Sequence, residues 1–372
     1  MTTYDLAVID GDGIGPEVNQ QALSAMKAAA ARFGFGLETT DYALGAQNYL
    51  DTGRLIDDEI IGRLQAHDAI LFGAMGDPGV APGILERGVI LRIRRAFRQK
   101  VNLRPVRLYP GVHTPIRDLD PERCDFVVVR ENTEGLYVGG GSTVHEGTQN
   151  AVALQESVNT ARAIADVVDY SFRLAQQRRR KLTLCHKKNI LVHAGELWQN
   201  IVDEHSSRYP EVEVDYVHAD AMCQHMPMTP ERFDVIVTDN LFGDIISDLG
   251  ATIQGGLGVA ASANLNLDGR APSMFEPVHG SAPDIAGRGW ANPAAAVLSA
   301  ALCLASFGQG MAALALETAT ASVLGELSAL AGPGMGASTE EIGDRIVDRI
   351  VTGSVEEHGR REGSIMTAMA AI

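Results

Sequence analysis

The chain lacks an apolar run long enough to cross a bilayer, which takes about 20 consecutive apolar residues. No membrane partner is therefore expected. The opening Met1-Thr2-Thr3-Tyr4-Asp5 has no basic stretch and no signal-peptide core, so a cytoplasmic location is expected. Positive charge is also short: 31 lysines and arginines face 47 aspartates and glutamates, a formal net charge of −16. A sequence-independent nucleic-acid binder needs a basic face, and the charge argues against one. An anionic small molecule is still admitted, because a local arginine cluster can reverse the field inside a cleft. Cysteine is rare. Cys124, Cys185, Cys223 and Cys303 stand far apart, with no C-x-x-C pair. That argues against a disulfide framework or a zinc site and for free thiols in a reducing compartment. No internal repeat is visible.

What is present is ordinary globular composition, 45% hydrophobic and 21% charged, over 372 residues. That length exceeds one compact core and suits two domains. Leu6-Ala7-Val8-Ile9 reads as a buried strand, followed by a glycine-rich turn and a helix from about Pro16 to Phe33. A helix near 57–66 leads into a strand at Ala69-Ile70-Leu71-Phe72. Further strands are expected at 126–129, 182–184, 212–217 and 235–237, with helices near 157–177, 189–206 and 240–253 between them. Strands alternating with helices predict an α/β fold with a largely parallel sheet. Residues 135–156 break the rhythm around Gly139-Gly140-Gly141 and read as a surface loop or a β-arm. The alanine-rich stretch 294–331 reads as helix packing, and 338–351 as an amphipathic helix.

Several segments could carry chemistry. Gly11-Asp12-Gly13-Ile14-Gly15-Pro16 follows a strand and opens a helix, but its spacing departs from G-x-G-x-x-G. A tight strand-to-helix turn explains it as well as a dinucleotide site does. Asp244 and Asp248, four apart, share a helix face, and Asp239 precedes them. Either they form a solvated acidic face, or a cation bridges them, and oxygen ligands suit Mg²⁺ or Mn²⁺. Arg94, Arg104 and Arg130 could together hold a dicarboxylic acid through bidentate forks, though each alone reads as a surface ion pair. Lys187, in His186-Lys187-Lys188-Asn189 after a strand, is either a base or part of a charged loop. Tyr137, seven residues after Arg130, is a candidate acid. His279-Gly280-Ser281-Ala282-Pro283-Asp284 is a small-residue loop that lets a backbone approach a nucleotide, with Asp284 able to accept from a ribose.

Taken together, these motifs resemble the β-decarboxylating dehydrogenases, which act on 3-isopropylmalate, isocitrate, homoisocitrate, tartrate or D-malate. The resemblance runs from Gly11-Asp12-Gly13-Ile14-Gly15-Pro16-Glu17 through Asn102-Leu103-Arg104-Pro105 and Asp239-Asn240-Leu241-Phe242-Gly243-Asp244 to Glu276-Pro277-Val278-His279-Gly280-Ser281-Ala282-Pro283-Asp284. The 3-isopropylmalate branch looks closest. The resemblance implies a two-domain fold that is not a Rossmann domain. Residues 1–104 plus 255–372 would form one domain containing both termini, and 105–254 a second with a dimerisation arm. It implies that Arg94, Arg104 and Arg130 hold the carboxylates of a small dicarboxylate substrate, Tyr137 is the acid and Lys187 the base. It implies that Asp220, Asp244 and Asp248 bind Mg²⁺ or Mn²⁺. It also implies that His279, Gly280, Ser281, Ala282, Asp284 and Asn292 bind NAD. Ile90 and Leu91 would line the pocket for the C3 substituent, where isocitrate-using relatives carry polar or basic residues. Lys187 and Asp220 would come from the partner subunit of a homodimer with shared active sites. The implied reaction is oxidative decarboxylation of 3-isopropylmalate to 4-methyl-2-oxopentanoate in leucine biosynthesis. A tartrate or D-malate dehydrogenase is the alternative, supported by Arg94-Arg95-Ala96-Phe97-Arg98 and Val106-Arg107-Leu108-Tyr109-Pro110. A catalytically silent regulatory subunit would lack expected ligands, and none of those positions is lost. His186 stands where many relatives carry an acidic residue before the lysine.

Overall fold

Leu6-Ala7-Val8-Ile9 is the buried centre of β1 (Thr3–Gly11). The computed structural model describes residues 2–353 and 369. After β1, Pro16 opens α1 (Gly15–Phe33), which Gly34 ends in a left-handed conformation with its amide on the Ala30 carbonyl. The chain then forms β2 (Gly36–Asp41), α2 (Ala46–Thr52), α3 (Asp58–Leu64) and β3 (Ala69–Ala74). One π-helical turn over Glu86–Ile90 runs into α4 (Leu91–Ala96), and β4 (Val101–Arg107) follows.

The middle of the chain begins with β5 (Asp125–Glu131) and the hairpin β6 (Gly141–Val144) with β7 (Val152–Gln155). Next come α5 (Ala161–Gln177), β8 (Lys181–His186), α6 (Val192–Ser206) and β9 (Glu213–His218). It closes with α7 (Ala219–Met228), β10 (Val235–Thr238) and α8 (Asn240–Ile253). The last part contains β11 (Ala261–Leu265), β12 (Ser273–Pro277), α9 (Ala294–Ser306), α10 (Gly310–Leu324) and α11 (Thr339–Thr352).

Ten of these strands form one sheet in the order β2-β1-β3-β12-β11-β4-β5-β10-β8-β9. Pairing is parallel from β2 to β12 and from β5 to β9. It is antiparallel through β12, β11, β4 and β5. The irregular stretch expected at 135–156 contains the separate hairpin β6–β7. Helix α9 is buried on every side from Ala294 to Leu304 and packs on α1, α10 and β12. Its alanines let those neighbours come close, so the alanine-rich stretch is helix packing. Among the described residues no helix is long and apolar enough to cross a membrane.

The expected break at 104/105 falls inside β4, which pairs with β11 on one side and β5 on the other. The break at 254/255 follows the end of α8. Parallel strands β5, β10 and β8 end side by side, so Arg130, Asp239 and His186 emerge along one sheet edge. The ends of parallel strands are where open α/β sheets place their ligands.

Candidate active site

Three arginines converge from different elements: Arg94 from α4, Arg104 from β4 and Arg130 from β5. All are buried, Arg130 to 1% exposure. A buried guanidinium must be held by acceptors. Arg130 donates Nε and Nη2 to Asn240 Oδ1 at 3.0 and 2.8 Å, and Nη1 to Asp244 Oδ1. Arg104 donates Nε to Asn102 Oδ1 and Nη1 to Ser247 Oγ, both at 2.7 Å. It also pairs with Asp244 at 3.5 Å and Asp248 at 3.4 Å. Arg94 donates Nη2 to Glu276 Oε1 at 2.8 Å, and its buried Nε has no hydrogen-bond partner among the described residues. Burial and the neighbouring arginines lower Arg104 to about 10, and burial lowers Arg130 too, with Arg94 adding to it. Mutually repelling cations held this way favour an anion between them.

Asp244 and Asp248 lie one turn apart on α8, which Asp239 caps by accepting the Phe242 amide at 2.8 Å. Burial alone would raise the Asp244 carboxyl, but Arg130, Arg104 and the Tyr137 hydrogen bond hold it below the usual carboxylate range. Burial raises Asp248, and repulsion from Asp244 adds to the rise. Two carboxylates that repel each other one helical turn apart suit a hard divalent cation, so the donor set fits Mg²⁺ or Mn²⁺.

Tyr137 donates its hydroxyl to Asp244 Oδ2 at 2.8 Å, and the Arg130 guanidinium sits 5.0 Å from its ring centre. Burial raises its pKa, with the Asp244 charge contributing. The hydroxyl therefore keeps its proton at neutral pH. Arg95 Nη2 donates to the Tyr137 carbonyl at 3.1 Å, tying that residue to α4. Lys187 and Asp220 form a separate pair, Nζ to Oδ1 at 2.7 Å, and that hydrogen bond lowers Asp220. Among the described residues neither bonds to the arginine–aspartate cluster, and no three acidic, histidine or cysteine side chains gather at one point. His186, before the lysine, is fully buried, 3.5 Å from Asp239, and burial lowers it to about 4.

Ile90 ends the π-helical turn and packs against a small apolar cluster with Leu85, Val89 and Ile93. Leu91 is half-buried and belongs to neither core cluster. After β12, His279 Nε2 and Asn292 Nδ2 are buried without hydrogen-bond partners among the described residues. Gly280 is exposed with open space beside it, and Asp284 is exposed. The Ser281 carbonyl accepts the Ile14 amide at 2.8 Å, and Ala282 adopts φ +39°. Two buried polar groups left without partners, His279 next to the open Gly280 and Asn292 before α9, fit a nucleotide, whose base and ribose would supply the missing partners.

Sequence reasoning missed the supporting polar groups. Asn240, Ser247, Asn102 and Glu276 hold the three arginines. Asn264 joins Asn102 to Glu276, at 3.1 and 2.8 Å. Asn102, Asn240 and Glu276 lay inside the quoted motifs, and their residue type was the available signal.

Against this geometry, the chain matches the isocitrate/isopropylmalate dehydrogenase family over residues 5–346. The chain belongs to that family. It is 53% identical to a 3-isopropylmalate dehydrogenase of Thermobifida fusca, over 94% of this chain and 98% of the relative. It is 54% identical to that of Corynebacterium glutamicum, over 92% and 98%. The isocitrate dehydrogenase of Methylococcus capsulatus superposes with a TM-score of 0.82 at 33% identity, over 94% of this chain and all of that one. The chain is thus a decarboxylating dehydrogenase by family, with the isopropylmalate/isocitrate fold expected from its motifs.

Proposed function

We propose that the protein oxidises and decarboxylates 3-isopropylmalate to 4-methyl-2-oxopentanoate, a step of leucine biosynthesis, using NAD and Mg²⁺ or Mn²⁺. The convergence of Arg94, Arg104, Arg130, Asp244, Asp248 and Tyr137 carries this reading. Relatives named 3-isopropylmalate dehydrogenase at 53 and 54% identity support the choice of substrate.

The arginines bind the two carboxylates and align the carbon skeleton. When bound, the divalent cation supplies Lewis acidity and NAD the hydride acceptor. Lys187 takes the proton of the C2 hydroxyl as the C2 hydrogen leaves with its electron pair. The ketone so formed lies β to a carboxylate, whose C–C bond breaks to release carbon dioxide. Tyr137 gives its proton to the carbon that retains that electron pair. Leu91, with Ile90 behind it, receives the isopropyl group, and His279, Gly280, Ser281, Ala282, Asp284 and Asn292 hold the dinucleotide. Asp284 accepts from the ribose 2′-hydroxyl and repels a 2′-phosphate. NADP-using relatives carry a lysine and a tyrosine in place of Asp284-Ile285.

We propose further that the enzyme is a homodimer whose sites are shared, Lys187 and Asp220 serving the partner's arginine cluster. Among the described residues these two bond to each other and not to that cluster, which supports this. So does exposed apolar surface on the arm, at Val144, Val152 and Leu154, and at Ile190, Val192 and Ile245. Residues 1–104 with 255–372, and 105–254, would then be the two domains that close on substrate.

Steady-state kinetics on 3-isopropylmalate, D-malate, tartrate and isocitrate, with NAD or NADP and with or without metal, test the proposal. Metal-dependent turnover of 3-isopropylmalate with NAD is expected. Better turnover of D-malate or tartrate would overturn the substrate, and equal efficiency with NADP would overturn the role of Asp284.

A further inference from the structure

The turn Gly11-Asp12-Gly13-Ile14-Gly15 has the look of a phosphate loop, yet its glycines meet the chain itself. A Cβ on Gly11 would lie 1.8 Å from the Ala74 carbonyl oxygen. On Gly13 it would lie 1.9 Å from the Ser281 carbonyl oxygen, and on Gly15 2.1 Å from that of Asp10. Gly11 and Gly13 also adopt φ of +71° and +59°. The room that glycine leaves is therefore filled by backbone from β1, β3 and the loop after β12.

Asp12, buried at the centre of the turn, has two carboxylate oxygens facing different loops. Oδ1 accepts the amide of Ala46, the first residue of α2, at 2.7 Å. Oδ2 accepts the amide of Gly76, just after β3, at 2.9 Å. The Asp12 amide itself donates to the Ala74 carbonyl at 2.8 Å. Two residues on, the Ile14 amide donates to Ser281 at 2.8 Å. Ser281 precedes Ala282, a non-glycine residue at φ +39°, a conformation that persists only where its surroundings enforce it.

We infer that Asp12 is a positioning residue for the cofactor: it fixes the turn against the loops after β2 and β3, and the turn in turn fixes Ser281 and Ala282 in their nucleotide-binding conformation. The inference rests on the reading of residues 279–284 as the NAD loop. A carboxylate is required because one group must accept from two amides at once, and ionised acceptors make the stronger bonds. Asparagine keeps the size but offers one acceptor and sets its NH₂ against an amide donor.

The test compares wild type with Asp12→Asn and Asp12→Glu by steady-state kinetics at saturating 3-isopropylmalate, with calorimetric titration of NAD. Losing one such hydrogen bond is expected to raise KM and Kd for NAD about tenfold while kcat changes less than about threefold. An unchanged KM for NAD in a variant with a lowered Tm would reduce Asp12 to a purely structural part and overturn the inference. Should the variants not fold, amide exchange in the wild type decides. Ala46, Gly76 and Ile14 amides that exchange slowly without NAD support a preformed clamp, and fast exchange there overturns it. Wild-type protein that fails to bind NAD would instead overturn the cofactor reading itself.

Discussion

At the scale of single residues, the site is a problem in holding like charges together. Arg94, Arg104 and Arg130 are buried within reach of one another, and their repulsion is offset by Asp244, Asp248 and Glu276. Tyr137 sits at the anionic side of that arrangement with its proton held on by burial. Tyr137→Phe is expected to lower kcat by about 10²- to 10⁴-fold, the usual worth of a general acid, with KM for 3-isopropylmalate little changed. Steady-state kinetics check this, and a loss confined to KM would leave Tyr137 as a binding group only. Asp239 offers a second test. Burial raises its carboxyl from 3.8 to about 6. The folded protein therefore disfavours the ionised form, while the unfolded chain ionises from pH 3.8 upward. The resulting stability is complete below pH 3.8 and is lost as pH rises through about 6, by about 3 kcal/mol. Asparagine also caps helices well, so Asp239→Asn keeps the bond from the Phe242 amide. The variant should show a higher Tm than wild type at pH 8 and no advantage at pH 4. A variant less stable at pH 8 would mean that the ionised carboxylate is favoured in the fold.

At the scale of elements, the π-helical turn Glu86–Ile90 and α4 act as one device. Arg94 turns inward to the arginine cluster, Ile90 packs on the small apolar cluster, and Leu91 stays outside both cores. Burying the three extra carbons of an isopropyl group is worth on the order of 2–3 kcal/mol. A preference for 3-isopropylmalate over D-malate of roughly 30- to 150-fold in kcat/KM is therefore expected, and Leu91→Ala should erode it by about tenfold. Unchanged discrimination in Leu91→Ala would move the alkyl pocket elsewhere. The hairpin β6–β7 is the other telling element. An isolated two-stranded ribbon is marginal in water, and this one leaves Val144, Val152 and Leu154 exposed. Leu154→Glu is expected to shift the protein toward monomer in sedimentation and to abolish activity. A variant that sediments as wild type would show that the arm does not bury that side chain.

At the scale of the whole molecule, the decisive question is which chain completes which site. Lys187→Met and Asp248→Asn homodimers should each be nearly inactive. Refolded together, about half the dimers would be mixed, each with one site carrying both lesions and one carrying neither. Activity should then recover to about a quarter of wild type, by symmetry. If both residues served one subunit's own site, every site would keep a lesion. Absence of recovery, with mixed dimers verified by native mass spectrometry, would rule out the shared site.

The strands and helices that frame the site were legible in the residues alone, because their periodicity is local. Leu6–Ile9, Ala69–Phe72 and the helix from Pro16 to Phe33 lie where the apolar pattern put them. The motifs were legible too, since Arg104, Arg130 and Asp244 each sit in a recognisable run. Strands β11 and β12 gave no such signal: they are short, and they bury polar Asn264 and Glu276 whose partners lie far along the chain. What Asp12 does was equally hidden. Its two partners, Ala46 and Gly76, come from other loops, and no spacing within a turn records a contact made across the sheet. The sequence by itself determined the fold class, the locally periodic elements and the family. Only the tertiary structure decided that Arg104 and Arg130 share Asp244 while Arg94 beside them pairs with Glu276, and that Lys187 and Asp220 face each other. The physical reason is that residue type and periodicity are properties of neighbours along the chain. Charge pairing and desolvation depend on which distant residues are brought within a few ångströms of one another.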